Sequence, residues 1–170
     1  PFFNYPRILG HELAGVVLKK NESKSSLKIG EKVVVIPYIE CGDCDACKIK
    51  LFNCCEKINV IGVHSDGGLQ EKIAVPAKNL ISVNSLSFDE IALIEPLSIG
   101  YHALKRAKIK SADKILVIGC GPIGIGIISL ALSFGCEVIA TDYNLKRLEY
   151  VKNNFSKVKI IETNKNLKND

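Results

Sequence analysis

Cys41-Gly-Asp-Cys44-Asp-Ala-Cys47, with Cys55 after seven further residues, is the most specific chemical pattern in the chain. Four thiolates on one short irregular segment can close a tetrahedral shell around zinc and leave no position for water, the mark of a structural site. Cys54 adjoins Cys55 and could compete. Neighbours on an extended chain point opposite ways, however, so Cys41, Cys44, Cys47 and Cys55 are the expected ligands. Gly10-His11-Glu12 is a second metal-capable group, because neutral imidazole is a ready zinc ligand and the adjacent carboxylate can bind directly or orient the site. Glu95 is a third candidate. It stands in Glu95-Pro96-Leu97-Ser98, where Pro96 must kink or restart a helix, and a carboxylate held at such a break can be aimed into a cleft.

A different chemistry is written from Lys114 to Glu137. Ile115-Leu-Val-Ile118 runs into Gly119-Cys120-Gly121-Pro122-Ile123-Gly124 and then a long apolar segment, the pattern of strand, phosphate-cradling turn and helix. Gly119 lets the chain turn off the strand, Gly121 lets the backbone approach a pyrophosphate, and Gly124 lets the helix pack closely. The helix N-terminus offers free N–H groups and a positive dipole end to phosphates. Val138-Ile-Ala-Thr follows as a second strand and ends at Asp142, 18 residues past Gly124, close to where a ribose-binding acid belongs. A buried turn without a ligand would not require that acid. Ile115–Cys136 is also 22 residues without a charge, enough to cross a bilayer on length alone. Five glycines and Pro122 interrupt it and no basic flank marks its ends, so a buried α/β element is expected instead.

The elements that must hold these residues read as follows. Ala14–Leu18 is an expected strand after His11-Glu12, and Lys19–Lys28 a solvated turn. Gly30–Ile36 forms a second strand that stops at Pro37, and Leu69–Val75 a further one after the glycine-rich turn Val63-His64-Ser-Asp66-Gly67-Gly68. Together they suggest a small antiparallel β domain. Ser87 and Glu90 have capping-box spacing at the start of a helix that meets Pro96. A new helix is expected from Ile99 to about Lys108; His102 lies within it as a structural residue, and His64 reads as an ordinary loop histidine. After Asp142, Asn144–Val151 has helical spacing, Lys159–Ile161 is an expected strand, and Thr163–Asp170 a loop. The domain boundary falls between about 96 and 112, giving residues 1–98 and 99–170.

With 170 residues, 47% hydrophobic and 24% charged, the chain is of globular composition. It contains no methionine, which reads as a piece of something longer. The net charge of +5 comes from lysines spread along the chain and Arg is scarce, an argument for solubility and against nucleic acid as a partner. A nucleic-acid-binding zinc ribbon would want basic and aromatic residues interleaved, whereas the cysteine segment offers Asp43, Asp45 and only Phe52. Of the seven cysteines, five crowd into residues 41–55, which beside an intracellular cofactor motif favours metal over disulfides.

Taken in order, Gly10-His-Glu12, the Cys41/Cys44/Cys47/Cys55 segment, Glu95-Pro96-Leu97 and Gly119–Gly124 with Asp142 resemble the zinc-dependent alcohol dehydrogenases of the medium-chain superfamily. The likeness covers essentially the whole chain. It is greatest to the polyol, threonine and sugar-acid dehydrogenases, because Glu95-Pro96 stands where the classical alcohol dehydrogenases have a cysteine ligand. The opening Pro1–Leu9 and the Val63–Gly68 turn resemble bacterial enzymes that oxidise hexonates at a secondary hydroxyl. The resemblance implies a partial GroES-like β domain with a zinc lobe, followed by the first half of a Rossmann domain, a doubly wound parallel sheet. It implies hydride transfer from a secondary alcohol of a polyol or sugar acid to NAD, with catalytic and structural zinc, in a cytoplasmic dimer or tetramer with no membrane partner. His11 is then a zinc ligand while Glu12 and Glu95 compete for direct or water-mediated contact. Gly119, Gly121, Pro122, Ile123, Gly124 and Asp142 serve the cofactor. Asp142 implies NAD over NADP, and Arg147, five residues on, could soften that preference. The family's remaining cysteine ligand and proton relay are expected before residue 1 and the rest of its cofactor sheet after residue 170, so the chain alone is expected to be inactive. The alternatives are a zinc-free quinone or enoyl reductase of the same fold, or a non-catalytic zinc- and nucleotide-binding module.

Overall fold

The structure, a computed structural model, describes residues 5–20 and 26–162. The expectations for Pro1–Asn4, for the middle of the Lys19–Lys28 turn and for Thr163–Asp170 lie outside the described residues. Two compact units divide between Glu95 and Pro96.

In the first unit, β1 (Ala14–Val16), β2 (Lys32–Val35) and β5 (Leu80–Ser82) form an antiparallel sheet in the order β1-β2-β5. Val33, Val34 and Val35 are all buried. Since successive strand side chains face opposite ways, the central strand is covered on both faces. Leu13, Val35 and Ile61 pack together in one cluster, and Val17, Leu27 and Val33 in another. The short helix α2 (Phe88–Ala92) packs on β1 and β2 through the fully buried Ile91. Its N-terminus is closed as the sequence indicates: Ser87 Oγ accepts from Glu90 N–H and the Glu90 carboxylate accepts from Ser87 N–H at 2.8 Å. A two-stranded ladder of β3 (Tyr38–Ile39) and β4 (Asn59–Val60) brackets the cysteine segment, which carries the single-turn helix α1 (Asp45–Lys48).

Two expectations are corrected here. Leu69–Val75 is not a strand: Leu69–Ala74 is exposed and, among the described residues, no strand lies beside it, so its apolar residues have no ladder to join. The helix expected from Ile99 begins five residues earlier, as α3 (Ile94–Arg106). Pro96 is its third residue, and a proline in the first turn displaces no intrahelical hydrogen bond. The chain therefore restarts at Ile94 instead of kinking.

In the second unit, β6 (Lys114–Ile118), β7 (Glu137–Asp142) and β8 (Lys159–Glu162) form a parallel sheet in the order β6-β7-β8. Helices α4 (Pro122–Ser133) and α5 (Leu145–Asn154) make the crossovers that parallel neighbours require. Val117, Cys120, Ile128, Ala131, Val138, Ala140, Leu148 and Val151 make up its core. The uncharged run Ile115–Cys136 is thus a strand, a turn and a 12-residue helix, and among the described residues no helix is long and apolar enough to cross a membrane.

Candidate functional site

The cysteine segment closes on itself by local geometry. β3 delivers Cys41, Cys44 caps the N-terminus of α1, Cys47 lies inside it, and a 3-10 turn over Phe52–Cys54 presents Cys55. One Sγ from each of Cys41, Cys44, Cys47 and Cys55 lies within 4.8 Å of the others. Cys41 Sγ is 3.5 Å from Cys55 Sγ and 3.9 Å from Cys47 Sγ. A tetrahedral zinc with Zn–S bonds of about 2.3 Å sets its sulfurs about 3.8 Å apart, so these separations fit the ion. Cys54 is exposed and outside the group. Backbone N–H bonds from Glu56 and Cys47 draw the Cys44 thiol down to about 7, while burial pushes Cys47 up to about 12. Near neutral pH the group thus has one readily ionised thiol to meet a cation, whose charge must ionise the others.

His11, Glu12 and Glu95 also meet, with one ligand atom from each within 4.8 Å of the others. His11 and Glu12 are placed by the segment before β1. Ile8 C=O accepts from Gly67 N–H at 2.7 Å, Gly10 C=O from Gly68 N–H at 2.9 Å, and Leu9 C=O from Leu69 N–H at 3.0 Å. Asp66 accepts from Ile8 N–H at 3.1 Å. The approach is so close that a Cβ on Gly67 would lie 2.4 Å from Gly10 O. The glycine-rich turn thus straps the segment that carries His11 and Glu12. Glu95, 6% exposed, enters from the second position of α3, whereas Glu12 is open to solvent.

Tyr38 was not anticipated. Its hydroxyl donates to Glu95 Oε1. Burial, with Glu95 adding to it, raises the phenol's pKa far above its ordinary value, so it stays a proton donor across the neutral range. Asn79, 3% exposed, fixes the backbone around Tyr38: its Nδ2 donates to Ile36 O and to Tyr38 O, both at 2.9 Å. The one available signal was an aromatic residue three positions before Cys41. His64 and His102 take no part in either metal-capable group: His64 Nδ1 accepts from Val60 N–H at 3.0 Å, and His102 is exposed on α3.

In the second unit the glycine turn has the expected shape. Gly119 has φ +96°, and a Cβ on Gly124 would sit 1.9 Å from Gly119 O, so α4 packs as closely as a glycine alone permits. Pro122 is the first residue of α4, and Gly121, its N-cap, supplies no side-chain cap. Gly121 has an ordinary negative φ, and the nearest atom to a Cβ there would be Arg147 Nη1 at 3.8 Å. Among the described residues, nothing crowds a side chain at 121. Ile123 is 38% exposed beside it. Asp142, 4% exposed at the end of β7, accepts from Asn144 N–H at 2.8 Å and Cys120 N–H at 2.7 Å, with Arg147 Nη1 3.6 Å away. The backbone bonds from Asn144 and Cys120, aided by Arg147, hold its carboxyl below the ordinary Asp value. Oδ2 is thus engaged by both Cys120 N–H and Arg147, and Oδ1 by Asn144 N–H.

Known proteins share both units. The alcohol dehydrogenase GroES-like domain matches residues 1–85, and the alanine dehydrogenase/PNT C-terminal domain matches residues 100–170. L-Galactonate-5-dehydrogenase of Escherichia coli K12 is 45% identical over 151 residues, covering 89% of this chain and 44% of that protein. The structure of RspB, an alcohol dehydrogenase from E. coli CFT073 complexed with NADH, superposes with a TM-score of 0.87 at 33% identity, covering 95% of this chain and 49% of that one. Galactitol-1-phosphate dehydrogenase from E. coli gives 0.86 at 29% identity, covering 92% and 46%. The chain thus spans less than half the length of each of these relatives.

Proposed function

We propose, because this chain belongs to the zinc-dependent alcohol dehydrogenases of the medium-chain superfamily, that the whole protein transfers hydride from a secondary hydroxyl of a polyol or sugar acid to NAD. The observation that carries this reading is the meeting of His11, Glu12 and Glu95 in a chain that also holds a four-cysteine cluster and a glycine turn with an acid at its edge. On this reading residues 1–98 form the metal-bearing domain and residues 99–170 open the cofactor domain. The four cysteines close a structural shell. His11, with Glu12 and Glu95, belongs to the catalytic one. Zinc held there would supply a Lewis acid for the substrate hydroxyl, and a bound nicotinamide would supply the hydride acceptor.

The chain's own residues do the positioning. The first amides of α4 and the open backbone at Gly121 take the pyrophosphate, with Pro122 and Ile123 shaping that edge. Asp142 accepts from a ribose 2′-OH and repels a 2′-phosphate, which selects NAD, and Arg147 beside it trims that selectivity. The likeness to L-galactonate-5-dehydrogenase favours a hexonate as substrate. The family further suggests a cytoplasmic dimer or tetramer, which light scattering would read. Because the chain covers only 44–49% of these relatives, the 170-residue chain by itself is expected not to turn over.

The test is an assay of the whole protein with hexonates and polyols, NAD and NADP being supplied at equal concentration and nicotinamide reduction followed. NAD-dependent turnover that His11→Ala abolishes is expected. Equal turnover with NADP would overturn the assignment of Asp142. Activity that survives removal of metal would return the protein to the zinc-free reductases, and a zinc-loaded protein inert toward every secondary alcohol would make it a binding module.

A further inference from the structure

We propose that Tyr38 is a positioning residue for the His11/Glu12/Glu95 group: its phenol holds the Glu95 carboxylate where that carboxylate meets His11 and Glu12, and so sets how tightly the group holds zinc. The inference rests on the reading of that group as a metal site.

The three candidate ligands come from two distant stretches of chain. His11 and Glu12 are fixed by the strapped segment before β1, but Glu95 reaches them from the first turn of α3 on a side chain with three rotatable bonds. Glu95 is 6% exposed, and a ligand's outer hydrogen-bond partner commonly orients it at metal centres. Tyr38 provides it by donating to Glu95 Oε1. A hydrogen bond from a neutral phenol to an ionised carboxylate is among the stronger ones, and it directs the lone pairs as well as the position of the acceptor.

The donor is itself held in place. Asn79 clamps the carbonyls on either side of Pro37, whose ring fixes φ, and Ile36 N–H donates to Asn79 O at 2.7 Å. Tyr38 also pairs with Val60 in the β3–β4 ladder. The phenol that meets the carboxylate is thus carried on backbone tied at three points. Tyr38 touches neither His11 nor Glu12 in any hydrogen bond of the described residues, so its effect must pass through Glu95.

The experiment uses the whole protein loaded with zinc or cobalt(II), as wild type, Tyr38→Phe, Glu95→Ala and the double variant, titrated with a competing chelator. For Tyr38→Phe one metal is expected to leave with about ten- to a hundredfold lower affinity while the cysteine-bound metal is unchanged, and the cobalt d–d bands of the weaker site should shift. In the Glu95→Ala background, Tyr38→Phe should change neither. The proposal is overturned if Tyr38→Phe binds as tightly as wild type or tighter. It is equally overturned if the loss persists without Glu95, or if the cysteine-bound metal is lost too, since either result makes Tyr38 a residue of the fold. A wild-type protein that holds metal only at its cysteines would overturn the metal-site reading as well, and so tells the two failures apart.

Discussion

Single residues decide whether the reactive groups have a place to stand. Gly67 carries no chemistry, yet a methyl group there would press to 2.4 Å on Gly10 O, one residue before His11. Gly67→Ala is therefore expected to cost about 1–3 kcal/mol, the usual penalty of forced overpacking, read as a lower urea midpoint with loss of the metal bound at His11. Asp142 shows what charge does at the same scale. Its carboxyl is held below the ordinary value of 3.8 in the folded state, mainly by Asn144 N–H and Cys120 N–H. The unfolded chain therefore takes up its proton first as pH falls. The stabilisation is complete above about pH 3.9 and is lost as pH drops through the lower folded-state value. Acid unfolding followed by circular dichroism should be less pH-dependent below about pH 4 in Asp142→Asn than in wild type.

At the scale of elements, the connection from α3 to β6 is strained where the rest of the second unit is regular. Lys108 has φ +53° and Ala112 φ +68°, both in the left-handed region that favours glycine. Ala112 is exposed, and its N–H donates to Gly135 O at 2.9 Å, a bond that glycine would keep. Ala112→Gly should therefore stabilise by about 1 kcal/mol and raise the Tm, since relief of the backbone strain exceeds glycine's entropic cost. Most elements were legible because their signals are local. The capping box at Ser87 and Glu90, the glycine turn and the crossover helices all follow from spacing within a few residues. Leu69–Val75 was misread because a run of strand-forming residues becomes a strand only beside a partner. The start of α3 was misread because Pro96 looks like a breaker, although a first-turn proline displaces nothing.

For the molecule as a whole, the metal-capable groups both lie in the first unit and the glycine turn lies in the second. Removing metal should act on the two units unequally. The whole protein is expected to hold two zinc ions per chain, of which Cys47→Ser removes one and His11→Ala the other by elemental analysis. On exhaustive chelation, hydrogen exchange should accelerate over residues 41–55, where four thiols then lack the ion that gathers them, while β6, β7 and β8 keep their protection.

The residue order alone determined the chemistry that depends on short spacing. Cys41, Cys44, Cys47 and Cys55 are near one another in any compact arrangement of 15 residues, and Gly119–Gly124 needs only its own strand and helix to become a turn. Tertiary structure alone decided the contacts that spacing does not encode. Glu95 meets His11 across 84 residues, Tyr38 donates to Glu95 across 57, and Asn79 grips the backbone on both sides of Pro37. Those meetings come from the packing of residues far apart in the chain, and packing is settled by the burial of many apolar side chains at once, which no short stretch of sequence records.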